Sequence, residues 1–146
     1  MTARFFVDSN VLIYSRDVVE LEKQRRANDW LRRLWGLQCG RLSYQVIVES
    51  YAVLSGSQRI KLQADKARAF VTEFLSWNPL LVDATVLERG WRLQERYRLN
   101  WWDCLIVAAA QLTECTYLLT EDMQPGQNLD GLVVVNPFEV EPASLA

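Results

Sequence analysis

Histidine is missing from all 146 residues. That absence removes imidazole acid–base catalysis, Ser-His-Asp and Cys-His nucleophiles, and nearly every ordinary zinc site. Cysteine is scarce as well. Cys39, Cys104 and Cys115 make an odd number without metal-site spacing, and read as reduced core thiols of a cytoplasmic protein. No run approaches 18 uninterrupted apolar residues, so no membrane span is expected. The opening Met-Thr-Ala-Arg-Phe-Phe-Val-Asp has no apolar stretch long enough for a signal peptide before Asp8 intervenes. There is no excess of positive charge: 16 Lys and Arg against 18 Asp and Glu give a net charge of −2. A dedicated nucleic-acid coat protein would be strongly basic. An enzyme that reaches phosphates through bound cations need not be.

The remaining composition is that of an ordinary globular chain, half hydrophobic and 23% charged. Its length fits one domain, residues 1–146, with a core that needs no staples. Six tryptophans are generous for this length, and most are expected in the core or at an interface. No repeat, low-complexity tract or Pro/Gly-rich linker divides the chain.

Strands and helices are predicted to alternate. Arg4 to Asp8 reads as a short buried strand, followed by a helix over Val11 to Arg16 with Asn10 as its N-cap. Leu21 to Leu37 is amphipathic, with Trp30, Leu34 and Leu37 on one face. Arg41 to Ser43 forms a brief strand, and Ser43 caps a helix over Tyr44 to Ser55. Helices over Gln63 to Trp77 and Ala84 to Tyr97 flank a short strand at Leu80 to Val82. Asn100 caps a mostly apolar helix from Trp101 to Glu114. Strands at Thr116 to Thr120 and Leu132 to Val135 complete the pattern. Strands separated by helices imply a three-layer α/β/α sandwich with a mainly parallel sheet. Such sheets bind ligands in the crevice at the carboxyl ends of their strands.

Four acids fall where that crevice should be. Asp8 ends the first strand, where the alternative role is turn or helix capping. Glu49 lies in mid-helix with Val46, Ala52 and Val53 as apolar neighbours. A carboxylate on such a stripe is costly unless it is paired with one of the basic residues or holds a metal. Asp103 occupies the first turn after Asn100, as in a capping box, where the helix N-terminus favours its charge. Asp122 follows the strand ending at Thr120, with Glu121 as a rival. Four carboxylates in one crevice repel at neutral pH and call for a cation. With oxygen ligands alone that cation is Mg²⁺ or Mn²⁺, metals that serve phosphoryl transfer by binding the phosphate and acidifying a water.

With these residues in view the chain resembles the PIN-domain nucleases, and more narrowly the VapC-type toxins of bacterial type II toxin–antitoxin pairs. The resemblance rests on Phe6-Val7-Asp8-Ser9-Asn10-Val11-Leu12, on Gln45 to Tyr51 around Glu49, on Leu99 to Ala110 around Asp103, on Leu118-Leu119-Thr120-Glu121-Asp122-Met123, and on the ending Gly131 to Phe138. It implies that Asp8, Glu49, Asp103 and Asp122 are the metal-binding and catalytic quartet of an endoribonuclease. Asn10 would be a polar helper and Thr120 a hydroxyl near the metal. A cognate antitoxin inserting a segment into the groove, and a toxin homodimer, are implied too. Pro125 departs from the pattern, since related sequences often carry His there.

Two other readings stay open on the residues. One is a phosphatase using Asp8 as nucleophile, although the acid such enzymes carry two residues later is Asn10 here. The other is a non-catalytic RNA-binding or protein-interaction module, for which Glu49 has no evident use. Basic residues fall in three groups. Lys23, Arg25, Arg26, Arg32 and Arg33 make the long early helix either a solvated face or a phosphate rail. Arg59, Lys61, Lys66 and Arg68 share that ambiguity. Arg89, Arg92, Arg96 and Arg98 alternate with Glu88 and Glu95, suggesting pairing along the helix. Of Trp101 and Trp102, at least one should pack in the core and the other could stack on a base.

Overall fold

The computed structural model describes residues 2–58 and 60–145. Its first strand, β1 (Phe5–Val7), is buried at every residue, as a strand must be when helices cover both faces of its sheet. The chain then runs through α1 (Ser9–Tyr14), α2 (Leu21–Leu37), β2 (Gly40–Arg41) and α3 (Tyr44–Gly56). Next come α4 (Ala64–Glu73), a 3₁₀ turn at Phe74–Trp77, α5 (Ala84–Tyr97) and α6 (Trp101–Leu112). The strands β3 (Tyr117–Leu119), β4 (Asn128–Leu129) and β5 (Leu132–Val135) follow, then a final 3₁₀ turn at Pro142–Leu145.

The sheet order is β2-β1-β3-β5-β4. Pairing is parallel everywhere except between β4 and β5, so the expected α/β fold with a mainly parallel sheet is the one observed. From β1 the chain goes first to β2 on one side and later to β3 on the other. The order therefore reverses between β1 and β3, and that switch point is where an open α/β sheet leaves a crevice.

Helix α6 fixes that crevice from one side. Every residue from Cys104 to Ala110 is buried, and the helix packs on β3 and β5 with α5 beside it. Opposite, Trp30 of α2 lies against Phe5 with ring centroids 5.5 Å apart and donates its indole N–H to the Pro137 carbonyl. The Trp77 ring lies against Gly40, where a Cβ would approach it to 2.4 Å. Glycine is thus required in β2 for this close approach.

Several expectations need correction. The 63–77 helix ends at Glu73 and tightens into the 3₁₀ turn. The strand expected at 80–82 shrinks to a single bridge between Leu80 and Ser43. Leu37 leaves the buried face of α2 and is 47% exposed. Of the six tryptophans only Trp30 and Trp77 are buried; Trp35, Trp91 and Trp102 are exposed. The strand β4 was not anticipated. It forms a hairpin with β5 through Asp130 and Gly131, both at positive φ, the geometry an Asp-Gly pair favours. All three cysteines are free, and burial pushes their thiols up from the ordinary range, which disfavours the thiolate. Among the described residues no helix is long and apolar enough to cross a membrane.

Candidate functional site

Asp8 stands at the carboxyl end of β1, where the chain turns into α1. It is 5% exposed, and it, rather than Asn10, caps the helix. Its Oδ1 accepts from the Ser9 N–H at 2.7 Å, while its Oδ2 accepts from the Thr120 hydroxyl at 2.9 Å. Asn10 is released from capping and turns inward. Its amide donates to Thr120 Oγ1 at 3.0 Å and to Asp122 Oδ2 at 3.2 Å. The Asp122 N–H also donates to Thr120 Oγ1, at 3.1 Å. A hydroxyl at the end of β3 thereby ties Asp8 to Asp122 across the switch point.

Glu49 and Asp103 come from helices. The buried stripe of α3 is Val46, Ser50 and Leu54; Ala52 and Val53 face solvent. The apolar stripe expected around Glu49 is thus not the buried one, and Glu49 sits half-buried on its edge. Its Oε1 accepts from Gln45 Nε2 at 2.9 Å, one turn back on the same helix, and its Oε2 from the Ser9 hydroxyl at 3.4 Å. Asp103 is held by Asn100 in both directions. The Asp103 N–H donates to Asn100 Oδ1 at 2.9 Å, and Asn100 Nδ2 donates to Asp103 Oδ2 at 2.8 Å.

Electrostatics bring the four together. Burial pushes the Asp8 carboxyl up to about 7, against the Ser9 and Thr120 hydrogen bonds, with the charges of Asp122 and Glu49 adding to the rise. Asp103 is also raised, first by burial and then by Asp122 and Glu49, while its bond from Asn100 opposes the rise. Among the described residues no Lys or Arg pairs with any of the four. The salt bridge considered for Glu49 is absent there. Glu121 turns away to α2, where Lys23 Nζ bonds it at 2.8 Å.

The crevice is rich in acceptors, and among the described residues its side-chain donors are neutral amides and hydroxyls. Besides the carboxylates, two buried amide oxygens, Asn10 Oδ1 and Gln45 Oε1, have no hydrogen-bond partner. Such orphans are uncommon in folded proteins. An all-oxygen acceptor set lacking counter-charge fits a hard divalent cation. Among the described residues no three acidic or cysteine side chains are grouped tightly enough to hold a metal unaided. Mg²⁺ does not require that, since it keeps several waters and takes only one or two carboxylates.

Ser9 and Gln45 were not singled out in the sequence. Gln45 could have been found from its place one turn before Glu49; nothing local marks Ser9 as reaching α3. The basic groups are largely committed elsewhere. In α2, Arg25 pairs with Glu22 and Asp29, Arg32 with Asp29, and Arg26 with Glu141. In α5 the expected pairing with Glu88 and Glu95 is replaced by Arg96 with Asp130 and Arg89 with Gln111. Lys61, Lys66 and Arg68 are exposed, and Arg59 of the same group lies outside the described residues.

The PIN domain family matches residues 5–125 of the chain. No curated protein matches the sequence significantly. Among solved structures, a toxin–antitoxin complex from Klebsiella pneumoniae superposes with a TM-score of 0.64 at 21% identity, covering 94% of this chain and 100% of that one. VapC20 of Mycobacterium tuberculosis, a sarcin-ricin loop cleaving toxin, gives 0.59 at 18% identity, over 81% of this chain and 89% of its own. VapBC2 from Rickettsia felis, bound to a DNA fragment from its promoter, gives 0.60 at 17% identity over 90% and 97%. At such identities the likeness is one of fold.

Proposed function

From the premise that the chain belongs to the PIN-domain family, we propose that it is a Mg²⁺- or Mn²⁺-dependent endoribonuclease and the toxin of a type II toxin–antitoxin pair. The observation that carries this reading is the unneutralised acid cluster. Asp8 and Asp103, from different elements, are both raised first by burial and then by the same two charges, Asp122 and Glu49, and among the described residues no Lys or Arg offsets them. A structural role gives no reason to keep four carboxylates in one another's fields without a basic partner among the described residues, because mutual repulsion destabilises the fold.

Asp8, Glu49, Asp103 and Asp122 would hold the cation, which when bound supplies charge neutralisation at the scissile phosphate and lowers the pKa of a water. The chain's own part is to fix the donors. Ser9 and Thr120 orient the two Asp8 oxygens, Asn10 steers Asp122, Gln45 steers Glu49, and Asn100 steers Asp103. Each carboxylate oxygen so engaged keeps a lone pair for a ligand. The toxin assignment, a cognate antitoxin, a homodimer and a cytoplasmic setting follow the family resemblance and the toxin–antitoxin complexes among the fold neighbours. Three free thiols accord with a reducing compartment.

The test is incubation of antitoxin-free protein with total bacterial RNA in Mg²⁺, beside an EDTA lane and an Asp103→Asn lane. Discrete fragments in the first lane alone support the proposal. Cleavage surviving EDTA or the substitution sinks the four-acid mechanism. RNA binding without cleavage in any lane points to the binding-module reading.

A further inference from the structure

The helix that carries Asp103 also carries two adjacent tryptophans with opposite fates. Trp101 turns inward. It stacks on Trp91 with ring centroids 6.3 Å apart at 18°, and lies so close to Gly90 that a Cβ there would sit 3.1 Å from its ring. Trp102, which directly precedes Asp103, is 64% exposed. It borders a pocket of about 620 Å³ together with Tyr44, Gln45, Val48, Glu49 and Val82, within the roughly 300–1,000 Å³ usual for ligand sites. Val48 is 63% exposed and Val82 42%. Leaving an indole and two valines in water forgoes burial energy that packing elsewhere would recover, so contiguous exposure of this kind marks a binding surface.

The pocket and the acid cluster share a wall. Glu49 lines the first and belongs to the second. Gln45 links the two sides, donating from one Nε2 to Glu49 Oε1 and, at 3.4 Å, to the Trp102 carbonyl. Any group seated on the indole is therefore held next to Glu49 and one residue from Asp103. A flat, largely uncharged occupant stacks there, and one with hydrogen-bond donors also meets the pocket's charged member, Glu49, which only accepts. An unpaired nucleobase meets each condition. Base–aromatic stacking is also sequence-tolerant and strong, at roughly 1–3 kcal/mol per base.

Building on the ribonuclease reading, we propose that Trp102, backed by Val48 and Val82, is a stacking platform for one unpaired base beside the scissile phosphate. A base paired within a duplex has its faces covered by its neighbours and cannot take this seat.

The probe is a set of short oligoribonucleotides with one central 2-aminopurine, titrated into the full chain in EDTA so that binding is read without turnover. Wild-type protein is expected to quench the 2-aminopurine emission. Trp102→Ala should lose most of the quench and bind roughly tenfold to hundredfold more weakly, as loss of one stacked base implies; Trp102→Phe should retain most of both. Annealing the same oligomer to its complement should erase the difference between wild type and Trp102→Ala. Equal quench and affinity in wild type and Trp102→Ala would overturn the inference, and so would no binding of any oligomer. Unchanged RNA binding in Trp102→Ala alongside weakened binding of an antitoxin would reassign the surface to a protein partner. The two readings fail separately. Trp102-dependent quench without metal-dependent cleavage keeps the platform and removes the nuclease, whereas cleavage with Trp102-independent quench does the reverse.

Discussion

Two of the four acids stand at strand ends and two on helices, and the two pairs are held in different ways. Asp8 and Asp122 are joined across the sheet through Thr120 and Asn10, residues 110 or more positions apart in sequence for three of the bonds. Glu49 and Asp103 are steadied mainly by amides one turn away on their own helices. The strand pair depends on the sheet being assembled in register; the helix pair carries its supports with it. Hence damage to the strand pair should spread through both carboxylates and into stability, whereas damage to the helix pair should stay local.

Asp8→Asn should produce the largest effect and separate activity from stability. The amide keeps the volume and a side-chain oxygen for the Ser9 N–H, and asparagine is as good an N-cap as aspartate. Cleavage should fall by about 10³-fold or more, as when a group stabilising developing charge is removed. Stability of the metal-free protein should instead rise at neutral pH and above. The sign follows from linkage. The folded carboxyl titrates near 7, well above the unfolded value, so between about pH 4 and 7 the folded state binds the extra proton and stability declines as pH rises. This contribution is present below the unfolded pKa and lost by the time pH passes 7. A difference of that size corresponds to at most roughly 4 kcal/mol. Urea unfolding in EDTA at pH 5 and pH 8 should show the gap between Asp8→Asn and wild type widening at the higher pH. An equal gap at both would show that Asp8 is not the destabilising charge.

The strand pair was also the harder to read in full. The bounds of α2, α5 and β5 are those read from the sequence, because local pattern marks where such elements begin and end. Positions of the four acids followed from the rule on strand ends and from family likeness. What escaped was tertiary. Asn10 has the chemistry of an N-cap, yet its amide is taken by Asp122 and Thr120 from the far end of the chain, so the cap falls to Asp8. Glu49 was placed on an apolar stripe of which only Val46 is buried, since α3 is covered along Val46, Ser50 and Leu54 while Ala52 and Val53 face solvent. Conversely, the Asp130-Gly131 turn that creates β4 was visible as a dipeptide, and only two residues of strand precede it.

Thr120→Val sharpens the comparison next. It removes one hydroxyl while keeping the branched shape, and so breaks the bond to Asp8 and deprives both Asn10 and the Asp122 N–H of an acceptor. Loss of a buried hydrogen-bonded group costs about 1–3 kcal/mol. Activity should fall roughly 10–100-fold, the usual result of removing a residue that orients a metal-binding side chain. Thr120→Ser should recover most of both. If valine is tolerated in the nuclease assay, the tie between the strand acids is ornamental to catalysis, and the contrast between the pairs collapses.

The smallest effects belong to Asn100, and two substitutions there divide its two bonds. Asn100→Ala removes the cap and should cost about 1 kcal/mol, with activity falling within about tenfold, at the mild end for an orienting residue. Asn100→Asp keeps an acceptor for the Asp103 N–H, so the helix stays capped. It replaces the donor that now bonds Asp103 Oδ2 at 2.8 Å with a like charge, which raises the Asp103 carboxyl further. Stability should therefore stay closer to wild type than in Asn100→Ala, while the acidic limb of the pH–rate profile moves to higher pH. That displacement is the discriminating readout. A support that serves only the helix would respond to loss of the cap in alanine and leave the pH profile of the aspartate variant where it was. A support that sets the charge of Asp103 would do the opposite, with its effect confined to one carboxylate.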